Sequence, residues 1–347
     1  MSEDHLADGI ISFAMVFFAI WWVWLNFTWF GSAYDNDDLI HRLLTLLQIA
    51  GSLILAAGVA RMFDGDFNLS VTGYVVMRIA LVAHWLRVGA HDPARRTTSH
   101  RYALGIVLVQ AGWVTILFVP PGWQMTWFLI LVAAEFAVPV LAERSGMTPW
   151  HPHHIAERYG LFFIIVLGES VLAATIAIQE ALDDRKAESA VMFVVTGGML
   201  IVFCIWWLYF SRDAGDALAR IHGRYSAEMF LFGFGHYFVY AAGAAIGAGL
   251  AARVDFWTNH GEASVLATAA MITGPVALLL VSMWGVAVRM HDPGPSTYVP
   301  FGVASVLVLA ATFTPVPELL TGLVLVVLLV VELRTISSEP ASDAVPG

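Results

Sequence analysis

Eleven apolar runs follow one another along this chain, at approximately 9–30, 40–62, 70–90, 102–119, 123–142, 159–179, 189–210, 227–252, 265–288, 298–314 and 317–333. A lipid interior offers backbone polar groups no water, so about 20 apolar residues in a row must fold as a helix that satisfies itself. No connecting segment is long enough for a sizeable soluble domain. The expected fold is all-α, a polytopic transmembrane helix bundle of about eleven spans. It forms one domain over 1–336, followed by a disordered cytoplasmic tail at 337–347 that is small, polar and Pro-containing. Pro120–Pro121–Gly122 separates the fourth and fifth runs, and Pro315 and Pro317 divide the last two. Each break predicts a tight helical hairpin.

Composition closes off other classes. Hydrophobic residues make up 59% and charged ones 13%, against about 25% charged in soluble domains. A net charge of -10 with no basic stripe excludes nucleic acid as a partner and leaves the bilayer. Cys204 is the single cysteine, so no intrachain disulfide is possible, and inside an apolar run it reads as a packing residue. GxxxxGK[ST] and GxSxG are absent, which removes bound-nucleotide transport and the hydrolase elbow. Lys186, the one lysine, lies in a charged loop and cannot form a retinal Schiff base deep in a bundle. The chain is not expected to be an enzyme, and no cofactor is expected. A lipid-acting enzyme stays as an alternative without a nameable nucleophile.

Charge asymmetry orients the spans. With the Arg-rich loop 91–101 in the cytoplasm, twelve basic residues fall inside. Only Arg61, Arg185, Lys186 and Arg253 fall outside. Eleven spans then put the N-terminus outside, and a further helix upstream of Met1 would restore an inside start.

Several segments carry a resemblance. Trp21–Phe30 (WWVWLNFTWF), Tyr34–Leu43 (YDNDDLIHRL), Gly73–Arg78 (GYVVMR), Trp150–Leu172 (WHPHHIAERYGLFFIIVLGESVL), Trp206–Phe210 (WWLYF) and Gly235–Tyr237 (GHY) resemble the bacterial low temperature requirement protein A family. The HPHHIAERYG…LGES block is the most specific part. Members usually open with a helix like LELFFDLVFV, whose Glu and Asp Ile10–Ile20 does not supply. The native gene product is therefore expected to carry one more helix. The resemblance implies a multi-pass protein of the bacterial cytoplasmic membrane linked to growth in the cold, without implying a molecular activity.

The residues that carry chemistry are those that hydropathy disfavours. Arg78, Glu135 and Glu169 each sit alone near the middle of a span. A charge at that depth costs about 3 kcal/mol on insertion scales, so it turns inward and finds a partner. Arg78 is expected to pair with Glu135 or Glu169, with Tyr74 one turn before it. Pro139 leaves the carbonyl of Glu135 without its helical donor. These groups read as a buried pair fixing helix register or as parts of a proton or ion path, with a ligand site as the remaining alternative.

Two further groups follow. His151, His153, His154, Glu157 and Arg158 open the sixth span at the cytoplasmic mouth. They read as an interfacial helix start, a pH-responsive mouth or a zinc site, though neither HExxH nor HxxEH is present and no metal is assigned. In the eighth span His236, Tyr237 and Tyr240 share one turn, as packing elements or an extension of the proton path. Gly243 and Gly247 after them form a GxxxG packing face. Asp35–Asp38 reads as a helix cap. Trp21, Trp22, Trp24, Trp29, Trp123, Trp127 and Trp150 read as interface anchors. Together these features favour a proton- or ion-coupled transporter or channel-like protein, taking protons or a small ion or solute. The alternative is a non-catalytic accessory membrane protein supporting envelope function at low temperature. Oligomeric state is not readable.

Overall fold

The computed structural model describes residues 3–184, 188–221, 227–258 and 264–338. Among these the regular elements are helical: α1 (Glu3–Tyr34), α2 (Leu39–Phe63), α3 (Asn68–His91), α4 (Arg96–Thr115), α5 (Pro121–Glu143), α6 (Pro152–Asp184), α7 (Glu188–Phe210), α8 (Ala214–Ile221), α9 (Ala227–Trp257), α10 (Val265–Val286), α11 (Pro295–Ala311) and α12 (Pro317–Ser338). A helix covers each of the eleven expected runs. Among the described residues nine helices are long and apolar enough to cross a membrane, and α11 is shorter. The short α8 was not expected. Of the expected tail, Ser337 and Ser338 end α12 and the remainder lies outside the described residues.

The outer surface is what a lipid solvent demands. Leu53, Leu104, Leu108, Phe203, Val281 and Val327 all stand exposed on long helices, where a soluble protein would carry polar groups. Polar and charged side chains are instead found buried.

Two compact units divide the chain, one reaching His151 and the other starting at Pro152. The first is built on hairpins. Asp38 caps α2 as expected, accepting from His41 N at 2.8 Å. Helices α2 and α3 touch backbone to backbone, since a Cβ on Gly73 would stand 2.6 Å from the Gly51 carbonyl oxygen. Asp92 turns α3 into α4 by accepting from the amides of Ala94 and Arg95. Phe30, Leu81, Trp85, Ala103, Ile106 and Val138 form a hydrophobic core, with Tyr102 stacked on Trp85 at 4.1 Å. Trp21 and Trp22 correct the anchor reading. Both are fully buried and packed with Phe18, because an indole offers more apolar area to a helix seam than to a headgroup layer.

In the second unit α9 is central. The GxxxG face packs as expected: a Cβ on Gly247 would lie 2.6 Å from Ser170 Cα. Ser170 fills that groove on α6 and donates to the Gly243 carbonyl at 2.9 Å. Helices α7 and α12 meet as closely, Gly197 lying against the backbone of Glu318. Cys204 is buried in α7.

Candidate functional site: buried charges in two helical units

Arg78 pairs with Glu135, one of the two partners expected for it. Its Nη2 lies 2.6 Å from Glu135 Oε1, and both side chains are buried. Four helices build this centre. From α3, Tyr74 OH donates to the same carboxylate oxygen at 2.5 Å and accepts a short hydrogen bond from Arg78, which also stacks over the Tyr74 ring. From α4, Trp113 Nε1 donates to that oxygen at 3.0 Å. From α1, Asn26 Oδ1 accepts from Arg78 Nη1 at 3.4 Å, while its amide donates to the Trp22 carbonyl. Three donors on one oxygen match an acceptor-only carboxylate. An apolar cavity of about 40 Å³ ends on Tyr74 and Trp113.

Glu169 is not brought to this centre. It stands exposed on α6, in the other unit. The cause is helical geometry. Ser170 occupies the α9 groove, so its neighbour about 100° around the helix turns away. A central position in an apolar run gives depth and leaves the facing direction open.

Sequence reasoning missed a vestibule in the first unit. A pocket of about 480 Å³ is lined by Tyr34, Asp35, Asp38, His41, His84, Arg87, His91 and Asp92, among others. Arg87 bridges to Asp38 with both side chains partly exposed. The Arg87 hydrogen bond, aided by the His41 amide, holds the Asp38 carboxyl at about 2, well below the usual carboxylate range. His84 is buried with its ring 4.8 Å from that of His41, and its Nε2 has no hydrogen-bond partner among the described residues. His84 lies six residues beyond Arg78 on α3, about 9 Å along the axis at 1.5 Å per residue. The available signal was a histidine inside an apolar run.

In the second unit His236 sits in an aromatic cage. Its Nδ1 lies 2.6 Å from the Phe232 carbonyl and its Nε2 3.0 Å from Tyr209 OH. The carbonyl can only accept, so Nδ1 carries the proton and Nε2 receives the tyrosine's. Tyr240 OH donates to the Tyr159 carbonyl at 3.0 Å, and Tyr159 OH to that of Gly233 at 3.1 Å. His236 and Tyr240 thus share one cluster, in a different unit from Arg78.

The cluster His151–Arg158 is spread out. His153, His154, Glu157 and Arg158 are exposed on the first turns of α6. His153 Nε2 lies 3.3 Å from Asp216 of α8. Among the described residues no group of three His, Cys, Asp or Glu could hold a metal ion.

Two further buried pairs correct the charge ledger. Arg212 pairs with Glu332 at 2.7 Å and Arg253 with Glu318 at 3.5 Å, all four side chains nearly inaccessible. Arg253 reads as a loop charge because hydropathy stops at 252, but α9 runs on to Trp257 and carries it inward.

An outward apolar surface over helices of bilayer length, with ion pairs inside, defines a multi-pass helical membrane protein. The model of the bacterial low temperature requirement A protein (LtrA) family matches residues 1–333, and the chain belongs to that family. It is also similar to an uncharacterized protein of Rhizobium meliloti (strain 1021), 25% identical over 95% of this chain and 83% of that protein. No solved structure matches.

Proposed function

We propose that this LtrA-family protein is a proton- or ion-coupled transporter or channel-like protein of the bacterial cytoplasmic membrane, working without an enzymatic step. The observation that carries the reading is the column of polar groups along α3. An open, charged vestibule holds Arg87 and Asp38, His84 follows one level down, and the buried Arg78–Glu135 pair lies below it. A helix needed only to span lipid gains nothing from this series, because each buried polar group adds an insertion cost. Ionisable groups at successive depths are the parts from which proton relays are made.

The test is flux. Purified protein in liposomes with an internal pH-sensitive dye is expected to dissipate an imposed proton or cation gradient. Glu135→Gln is expected to cut the rate at least ~100-fold, the low end of what one proton-transfer group typically contributes. Vesicles no leakier than empty ones would reject the reading.

One observation favours the accessory alternative. Glu135 Oε1 already accepts from Tyr74, Arg78 and Trp113, as a lock between helices would. If Arg78→Met/Glu135→Leu folded and still restored growth in the cold, the accessory reading would replace transport.

A further inference from the structure

The Arg253–Glu318 pair is unfinished. Arg253 lies fully buried near the end of α9, and its Nη1 donates to Thr268 Oγ1 on α10 at 3.1 Å. Its Nε and Nη2 have no hydrogen-bond partner among the described residues. These two nitrogens form one edge of the guanidinium, the fork that grips a carboxylate or similar planar anion through two parallel bonds. Glu318 Oε2 stands before that edge, 3.5 Å from Nε, too far for a good bond and itself unpartnered. Thr321, one turn along α12, has a buried hydroxyl without a partner. Trp257, whose ring centre is 5.3 Å from the guanidinium carbon, has a buried N–H without one.

Counting donors against acceptors decides the ligand's sign. Two guanidinium nitrogens and one indole N–H can only donate, the Thr321 hydroxyl can do either, and Glu318 Oε2 can only accept. Buried donors left unmade are costly, and an anion satisfies them where a cation would leave them as they are. We propose that Arg253, with Thr321 and Trp257, binds a small planar monovalent anion, a short carboxylate or an oxoanion, and that Glu318 gives up the guanidinium by taking a proton.

Charge balance makes the coupling one to one. Without ligand the site holds Arg⁺ and Glu⁻; with it, Arg⁺, the anion and neutral Glu318. One proton enters for each anion and the buried site stays neutral throughout. A second anion beside an ionised Glu318 would leave net negative charge in a dry site, which is disfavoured. Arg253 is the charged group acting on Glu318. Beside Arg253, α10 contributes Thr268, and against Glu318 α7 places the backbone at Gly197, while Asp255 on α9 is exposed. Glu318 is in the first turn of α12.

This inference gives the transporter reading a substrate class and rests on it for direction only, because binding requires no flux. The experiment is calorimetric titration of the purified protein with formate, acetate and nitrate at pH 5 and 7.5. The wild type is expected to bind at least one at pH 5, with affinity falling about 10-fold per pH unit once Glu318 is ionised. Glu318→Gln is expected to bind with no pH dependence and Arg253→Gln not to bind. No binding of any of the three at pH 5, or Glu318→Gln binding that keeps the wild-type pH dependence, would overturn the proposal. Should Arg253→Gln fail to fold, Glu318→Gln alone still decides. Binding without flux in liposomes would reject transport and leave the site; flux without binding would do the reverse.

Discussion

Arg78–Glu135 and Arg253–Glu318 are made of the same two side chains, and their neighbours differ. In the Arg78–Glu135 centre, helices α1, α3, α4 and α5 each contribute a side chain, and one carboxylate oxygen accepts three donors at 2.5–3.0 Å. Around Glu318 the guanidinium stands 3.5 Å off and its forked edge is unused. A saturated buried pair resists change, because moving either charge breaks several bonds at once. An unsaturated one lies closer in energy to its alternatives. The contrast teaches that two buried pairs of the same side chains can differ in how firmly they are held, according to how many of their bonds are already made.

The largest expected effect tests the saturated centre. Glu135→Ala leaves Arg78, Tyr74 and Trp113 facing an emptied position. It should destabilise the purified protein by about 3–5 kcal/mol, the usual result of removing one partner from a buried pair. Thermal unfolding in detergent would measure this, and a loss under ~1 kcal/mol would show that Glu135 is not a lock.

Glu318→Ala comes next. Arg253 keeps Thr268 and its aromatic faces, so the loss should be about 2 kcal/mol, near that of leaving one polar group unsatisfied. A Glu318 effect larger than that of Glu135 would invert the comparison.

A smaller effect is expected at a neutral contact. Ser170→Ala removes one interhelical hydrogen bond to Gly243 and should cost about 0.6 kcal/mol, the average for such bonds in membranes. A loss comparable to Glu318→Ala would mean that the seam, and not the ion pairs, holds the second unit.

The smallest effect concerns Asp38–Arg87, which is partly exposed and screened. Folding lowers the Asp38 pKa to about 2, so its contribution is present above the unfolded value near 3.9 and fades as pH falls through about 2. The wild-type advantage over Asp38→Asn should therefore be flat from pH 8 to 5 and shrink below pH 4. An advantage that grew on acidification would contradict the sign.

A helix covers each of the eleven runs that hydropathy marks, because bilayer length and backbone satisfaction leave few options. Hydropathy also narrowed the partner of Arg78 to Glu135 or Glu169, since isolated mid-span charges of opposite sign are the most economical partners for each other. Glu169 was misread because depth along a helix follows from sequence, whereas the face it presents depends on where Ser170 packs. Arg253 was missed because α9 continues past its apolar run, so a residue that looks like loop is drawn inside. Glu318 and Glu332 sit at the ends of α12, where carboxylates ordinarily meet water, and only tertiary packing reveals that they do not.

The groove of Gly243 and Gly247, filled by Ser170, has a thermal consequence. Contacts between helices in lipid do not depend on releasing water from apolar surface, since lipid tails are as apolar as the side chains they replace. They rest on dispersion and on hydrogen bonds such as the one from Ser170 to the Gly243 carbonyl. Burial from water weakens on cooling, but a seam of this kind has no such term to lose. As temperature falls, the α6–α9 contact keeps its strength while the water-facing loops and α8 lose part of theirs.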